Sequence, residues 1–361
     1  MLWQNQRFQR AENGINTMIA ISNALRTKAI LVLCAMVLTA CAAPEEQTTR
    51  PESVQPELTN KHLITSDNTK LPMRAWIPES EPEAVIIGLH GFNDYSHSFE
   101  GVGEFLGRRR IAFYAYDQRG FGAAPNTGIW AGEDNLIRDM KQMVAVIQEK
   151  YPGVPTYVVG ESMGAAVAIN SCAKLGCDEL DGLIFIAPAV WGEESFNQFY
   201  RFALWCMAHM FPSSEFTGED VEIQATDNIP LLIEMGKDPL VIKKTRVDAI
   251  YGIVGLMDDA FVNIAKVKRP VLLLYGAKDE VIPLASVRQA IDKLTTSHTV
   301  AYYPKGYHML LRDLQAKLVM KDIKTWIKDR YKPLDSGFDM GWREKMLLGG
   351  ADKAPELAKE K

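Results

Sequence analysis

The sequence is poor in histidine and cysteine, with 6 and 5 in 361 residues. No group of them has the spacing of zinc ligands, which excludes a zinc-built framework. It has no excess of positive charge, the formal net charge being -5. No basic stripe runs along it, so nucleic acid is not an expected partner. No segment repeats at a fixed period, which argues against a solenoid or propeller. The apolar run at residues 29–40 falls short of the ~20 residues that a membrane-spanning helix needs. What remains is 47% hydrophobic and 24% charged. That is the composition of a globular domain, neither disordered nor fibrous. The length fits a single large α/β unit or two ordinary domains.

The N-terminus reads as an export segment. Arg26 and Lys28 precede the apolar run, which ends at Cys41. A short basic region, a short apolar region and small residues form a secretion signal. The order Leu38-Thr39-Ala40-Cys41 resembles a bacterial lipobox, which implies removal of residues 1–40 and lipidation of Cys41 as the mature N-terminus. Ala42, rather than Asp, follows the cysteine, and this implies an outer-membrane lipoprotein facing the periplasm. An uncleaved N-terminal anchor is the alternative. Met18 is the better start, because Met1 makes the basic region oddly long. Export implies an oxidising compartment. Cys172 and Cys177 are near enough in sequence to pair there, and two small buried apolar residues fit equally well.

Residues 42–60 are rich in Pro, Glu, Gln and Thr, which predicts a flexible tether. From residue 61 to 332, short β-rich runs alternate with helical patterns. That alternation predicts an α/β fold with a largely parallel sheet. Strands are expected at 73–77, 84–89, 111–116, 156–159, 183–186, 271–275 and 299–303. Runs such as Val271-Leu272-Leu273-Leu274-Tyr275 suit strands covered on both faces. Helices are expected at 98–109, 135–151 and 314–331 from apolar residues spaced along one face. Residues 190–267 break the alternation with a helical pattern and no convincing strand, and read as an inserted cap. Its Phe196, Phe199, Phe202, Ala203, Met207 and Phe211 recur at helical spacing. Packing on the sheet domain is the expected use of most of that stripe. An acyl-chain wall or a lipid-facing surface is the functional alternative. The charged tail, 333–361, is expected to be loosely held, with Phe338, Trp342, Met346 and Leu347 available to dock.

Chemistry concentrates at four places. Gly160-Glu161-Ser162-Met163-Gly164 follows a strand and precedes a helical run. In that context the small residues allow a sharp turn that exposes the serine as a nucleophile. A serine needs a base to take its proton. Of the six histidines, His308 alone lies just beyond the carboxyl end of a late strand, where catalytic groups of α/β sheets collect. The base needs an acid to hold its tautomer. Asp279, four residues beyond the 271–275 strand, gives the chain order Ser, Asp, His, and Glu280 beside it is the competitor. The oxyanion needs N–H donors. Met163 supplies one, and Phe92, in His90-Gly91-Phe92-Asn93-Asp94, supplies the other. His90 precedes that turn and reads as structural.

These segments together resemble the monoacylglycerol lipase and lysophospholipase branch of the α/β-hydrolases, grouped with serine aminopeptidase-like hydrolases. Leu89-His90-Gly91-Phe92, Asp117-Gln118-Arg119-Gly120-Phe121-Gly122, the Ser162 pentapeptide, Gly276 to Pro283 and Gly306-Tyr307-His308 carry the resemblance. It implies an α/β-hydrolase fold with a helical cap and a serine esterase that forms an acyl-enzyme. It also implies a lipid-like monoester substrate and no metal or cofactor. A peptidase, an acyltransferase or a non-catalytic envelope protein on the same scaffold are the alternatives. Arg119 is expected to make buried hydrogen bonds. The chain departs from the pattern at Glu161, where many relatives carry His, and at Ala165, where a second Gly is common.

Overall fold

The apolar runs become the strands of one sheet that is covered on both sides. In the computed structural model, residues 43–191, 198–218 and 223–349 are described. Cys41, Phe196 and the export segment lie outside them. The strands are β1 (Glu57–Leu58), β2 (His62–Ile64), β3 (Lys70–Trp76), β4 (Ala84–Leu89), β5 (Ile111–Tyr116), β6 (Thr156–Glu161), β7 (Gly182–Ile186), β8 (Glu215–Thr217), β9 (Lys244–Arg246), β10 (Val271–Gly276) and β11 (His298–Tyr303). Nine of them form a sheet in the order β1-β2-β3-β5-β4-β6-β7-β10-β11. β1, β2 and β3 join antiparallel, and every pairing from β5 to β11 is parallel.

Successive residues of a strand point to opposite faces, and here both faces are dry. Val85, Ile87 and Leu89 enter one core, while Ala84 and Ile86 enter the other. Likewise Leu273 and Tyr275 face one side, and Leu272 and Leu274 the other. That is why these strands read as unbroken apolar runs. The first face is covered by α2 (Glu133–Lys150), α3 (Met163–Leu175), α6 (Val247–Asn263) and α7 (Leu284–Lys293). The second is covered by α1 (Glu100–Gly107) and α8 (Ala316–Lys328). The helix expected at 98–109 is a 3-10 turn, Ser96–Phe99, leading into α1. No helix among the described residues is long and apolar enough to cross a membrane.

Four expectations change. Residues 43–60 do not run free as a tether. The Gln47 N–H donates to Trp130 O at 2.9 Å, and Arg246 pairs with Glu45 at 2.8 Å. β1 then adds to the sheet edge beside β2. Main-chain hydrogen bonds and charged side chains hold this segment, and composition does not reveal them. Second, the cap does contain strands. β8 and β9 pair antiparallel, Glu215 opposite Arg246. They are short and polar, so no apolar alternation announces them.

Third, the aromatic stripe of α4 (Gln198–Met210) does not pack on the sheet domain. Phe199, Phe202 and Phe211 are 70%, 64% and 52% exposed. α4 rests on α6 through the Arg201–Asp258 ion pair, at 2.6 Å, and the edge-on contact of His209 with Tyr251. The cap also holds α5 (Ile229–Lys237), capped by the Asn228 side chain. Fourth, the tail folds back at least to α9 (Trp342–Gly349). Leu334 and Met346 are buried, and Phe338 meets Tyr303 edge-on. A disulfide joins Cys172 to Cys177 at the end of α3, and Cys206 is free.

Candidate active site

The parallel strands β4, β6, β10 and β11 all deliver their carboxyl ends to one edge, and the sequence-predicted residues gather there. β6 runs to Glu161, and α3 starts at Met163, so Ser162 alone makes the turn. Its φ of 53° lies in the left-handed region that a serine seldom adopts. The turn is held by the Ser162 N–H donating to Ile186 O at 2.9 Å and by the Ala189 N–H donating to Ser162 O at 3.1 Å. The two glycines are steric requirements. A Cβ on Gly160 would lie 2.4 Å from the Ala165 nitrogen, and one on Gly164 would lie 2.0 Å from Leu89 O. The helix is therefore pressed against β6 and β4, and the serine is pushed outward.

His308 stands in the loop after β11. Its Nδ1 lies 2.9 Å from Asp279 Oδ2. The other oxygen, Oδ1, accepts from the N–H groups of Val281 and Ile282 at 2.8 and 3.0 Å. Asp279 is thus fixed by the backbone that follows it and presents one oxygen to the imidazole. The competitor Glu280 points elsewhere, accepting from the Gln224 N–H at 3.0 Å. Burial pulls the His308 imidazole down, but the Asp279 and Glu161 carboxylates together outweigh it, so the ring is raised above its ordinary value. With Nδ1 taken, Nε2 is the nitrogen left to receive a proton. No hydrogen bond joins Ser162 Oγ to His308 among the described residues, as is common before substrate closes a site.

The β4 loop passes close to Ser162: a Cβ on Gly91 would sit 3.6 Å from Ser162 Cβ. Phe92 is anchored by its ring, edge-on to Phe121 at 5.5 Å. Neither the Phe92 nor the Met163 N–H donates to a protein acceptor among the described residues. Two N–H groups flanking the half-buried Ser162 can receive a developing negative charge. His90 is fully buried, with Nδ1 2.8 Å from Gly91 O and Nε2 accepting from the Gln118 N–H at 2.9 Å. Burial lowers it, so it stays neutral and shapes the loop.

Arg119 is buried and tied to Asp67 at 2.7 Å and Asp139 at 2.6 Å, with Thr65 and Thr69 completing the set. Sequence reasoning missed one group here. The Arg312 guanidinium sits between Asp94 and Glu161 at 2.7 and 3.2 Å. The available signal was Glu161 itself: a carboxylate at the end of a buried strand requires a cation.

The chain matches the family model described as serine aminopeptidase, S33, over residues 80–315. It is 27% identical over 301 residues to monoglyceride lipase of Homo sapiens, covering 80% of this chain and 96% of that one. It is 23% identical over 261 residues to monoacylglycerol lipase of Mycolicibacterium smegmatis, covering 70% and 90%. A solved structure of a soluble variant of monoglyceride lipase from Saccharomyces cerevisiae, in complex with a substrate analog, has the same fold. It superposes with a TM-score of 0.64 at 20% identity, covering 81% and 99%.

Proposed function

The chain belongs to the serine aminopeptidase S33 family, within the monoacylglycerol lipase branch of the α/β-hydrolases, and on that premise we propose that it hydrolyses a lipid monoester, a monoacylglycerol or a lysophospholipid, through an acyl-enzyme on Ser162. As a serine hydrolase of the lipase and esterase type it needs a nucleophile, a base and an oxyanion site. The observation that carries the reading is the Asp279–His308 hydrogen bond, at 2.9 Å, beside the Ser162 turn.

His308 Nε2 takes the proton of Ser162 Oγ as the oxygen attacks the ester carbonyl. The carbonyl electrons move onto oxygen, which is held by the Phe92 and Met163 N–H groups. Asp279 stays ionised and stabilises the imidazolium. The C–O bond to the alcohol then breaks, and His308 returns its proton to the leaving oxygen. Water repeats the sequence on the acyl-enzyme, with His308 as base, and releases the fatty acid and free Ser162.

The lipid preference draws on the relatives' names and on the exposed aromatic face of α4. A panel of monoacylglycerols, lysophospholipids, short p-nitrophenyl esters and aminoacyl amides tests it. The expected order of kcat/KM places the long-chain monoesters first. Preference for the amides would make the enzyme a peptidase instead.

We also place the protein in a bacterial envelope as a lipoprotein held by Cys41, facing the periplasm from the outer membrane. The Leu38–Cys41 motif and the Cys172–Cys177 disulfide support that location.

A further inference from the structure

Three loops build the proposed site, and one side chain touches two of them while belonging to the third. Arg312 lies four residues past His308, in the same loop. Its Nη1 is 2.7 Å from Asp94 Oδ2, in the loop that carries Phe92. Its Nη2 is 3.2 Å from Glu161 Oε2, directly before Ser162. The Arg312 side chain is 12% exposed and that of Glu161 only 2%. Nη1 also has a long contact with Met235 Sδ of the cap, at 3.7 Å. Among the described residues, Asp94 Oδ2, Glu161 Oε1 and Arg312 Nε have no hydrogen-bond partner, so Asp94 meets the guanidinium as an ion pair. The group is therefore not a saturated structural network of the kind around Arg119. Two buried carboxylates share one guanidinium, next to the base.

We propose that Arg312 is a positioning residue for the hydrolysis described above: it locks the oxyanion loop, the nucleophile turn and the base loop together, and it balances the charge that Glu161 places beside His308. Glu161 supports the imidazolium that forms as Ser162 attacks. Left unbalanced, the same charge would hold His308 protonated and unable to act as a base. The charged groups acting on His308 are Asp279 after β10, Glu161 at the end of β6 and Arg312 from its own loop. Asp94 acts on Arg312 and Glu161. A guanidinium suits the role because its fork can meet two carboxylates from different loops at once, which an ammonium on one stem does not.

The inference rests on Ser162 and His308 acting as nucleophile and base. It is tested by the pH dependence of kcat/KM for p-nitrophenyl butyrate, with melting temperatures measured alongside. Glu161→Gln removes a negative charge near His308, so the midpoint of the acid limb should fall by roughly half a unit to one unit. Asp94→Asn should lower the midpoint in the same direction, and it carries the test where Glu161→Gln does not fold. Arg312→Lys keeps the charge and loses the fork, so kcat should drop at least tenfold while the acid limb stays near that of the parent. Folded Glu161→Gln and Asp94→Asn proteins with unmoved acid limbs would overturn the inference, as would Arg312→Lys at full kcat. Ser162→Ala, assayed in parallel with a fluorophosphonate probe, separates this failure from failure of the hydrolase reading. A labelled Ser162→Ala protein sinks that reading, whereas an unlabelled one with unmoved limbs sinks only the role of Arg312.

Discussion

At the scale of single residues, the proposed mechanism makes the charge state of His308 decide when the enzyme works. The base must be neutral to accept the serine proton. Burial lowers its pKa, and Asp279 with Glu161 more than offsets this, so the ring titrates above the ordinary histidine value, which is about 6.5. Activity is therefore absent while His308 is protonated and appears as pH rises through that raised pKa. The acid limb of kcat/KM should lie on the alkaline side of an unperturbed histidine, and a limb on the acid side would contradict the geometry. Asp279→Asn leaves the shape of the pair but favours the wrong tautomer, and should cost on the order of 10³–10⁴-fold in kcat. Arg119 acts on stability instead. Arg119→Met strands Asp67 and Asp139 as buried carboxylates, and should cost about 3–5 kcal/mol in urea unfolding. A loss under about 1 kcal/mol, the range of a surface pair, would mean that the network is solvated.

At the scale of elements, the contact of α3 with β4 and β6 sets the nucleophile's place. Gly164→Ala drives a methyl group into the carbonyl of Leu89. The turn must shift, and kcat for any ester should fall at least tenfold with a lowered melting temperature. Unchanged kcat would mean that the turn is not the nucleophile's mount. The same elements explain what the sequence discloses. β4 and β5 are legible to the residue, because a strand covered on both faces is apolar throughout. β1, β2, β8 and β9 are not, since two or three residues give no period to read. Ser162, Asp279 and His308 are legible because each sits in a local pattern after its own strand. The Asp94–Arg312–Glu161 group is formed by three distant segments, none of which marks the others. The exposed face of α4 was hidden for a related reason: an apolar stripe at helical spacing looks the same whether it meets a core or solvent.

At the scale of the whole molecule, the proposed lipidation of Cys41 would tie the hydrolase body to a membrane through its N-terminal segment. Residues 43–60 lie along the body rather than hanging free. Glu45 reaches Arg246 and the Asp248 side chain at the start of α6, so the beginning of the described chain touches the base of the cap. Metabolic labelling with a fatty-acid analogue should mark the full chain and not its Cys41→Ser variant. Equal labelling of both would refute lipidation at that cysteine.

The claim on which everything else depends is that Ser162 is the nucleophile. The most direct measurement is the mass of the intact protein after treatment with a fluorophosphonate, with the adduct mapped by peptide sequencing. One adduct per chain is expected, on Ser162, and none on Ser162→Ala. An adduct on the Ser162→Ala protein at the parent's rate would contradict it.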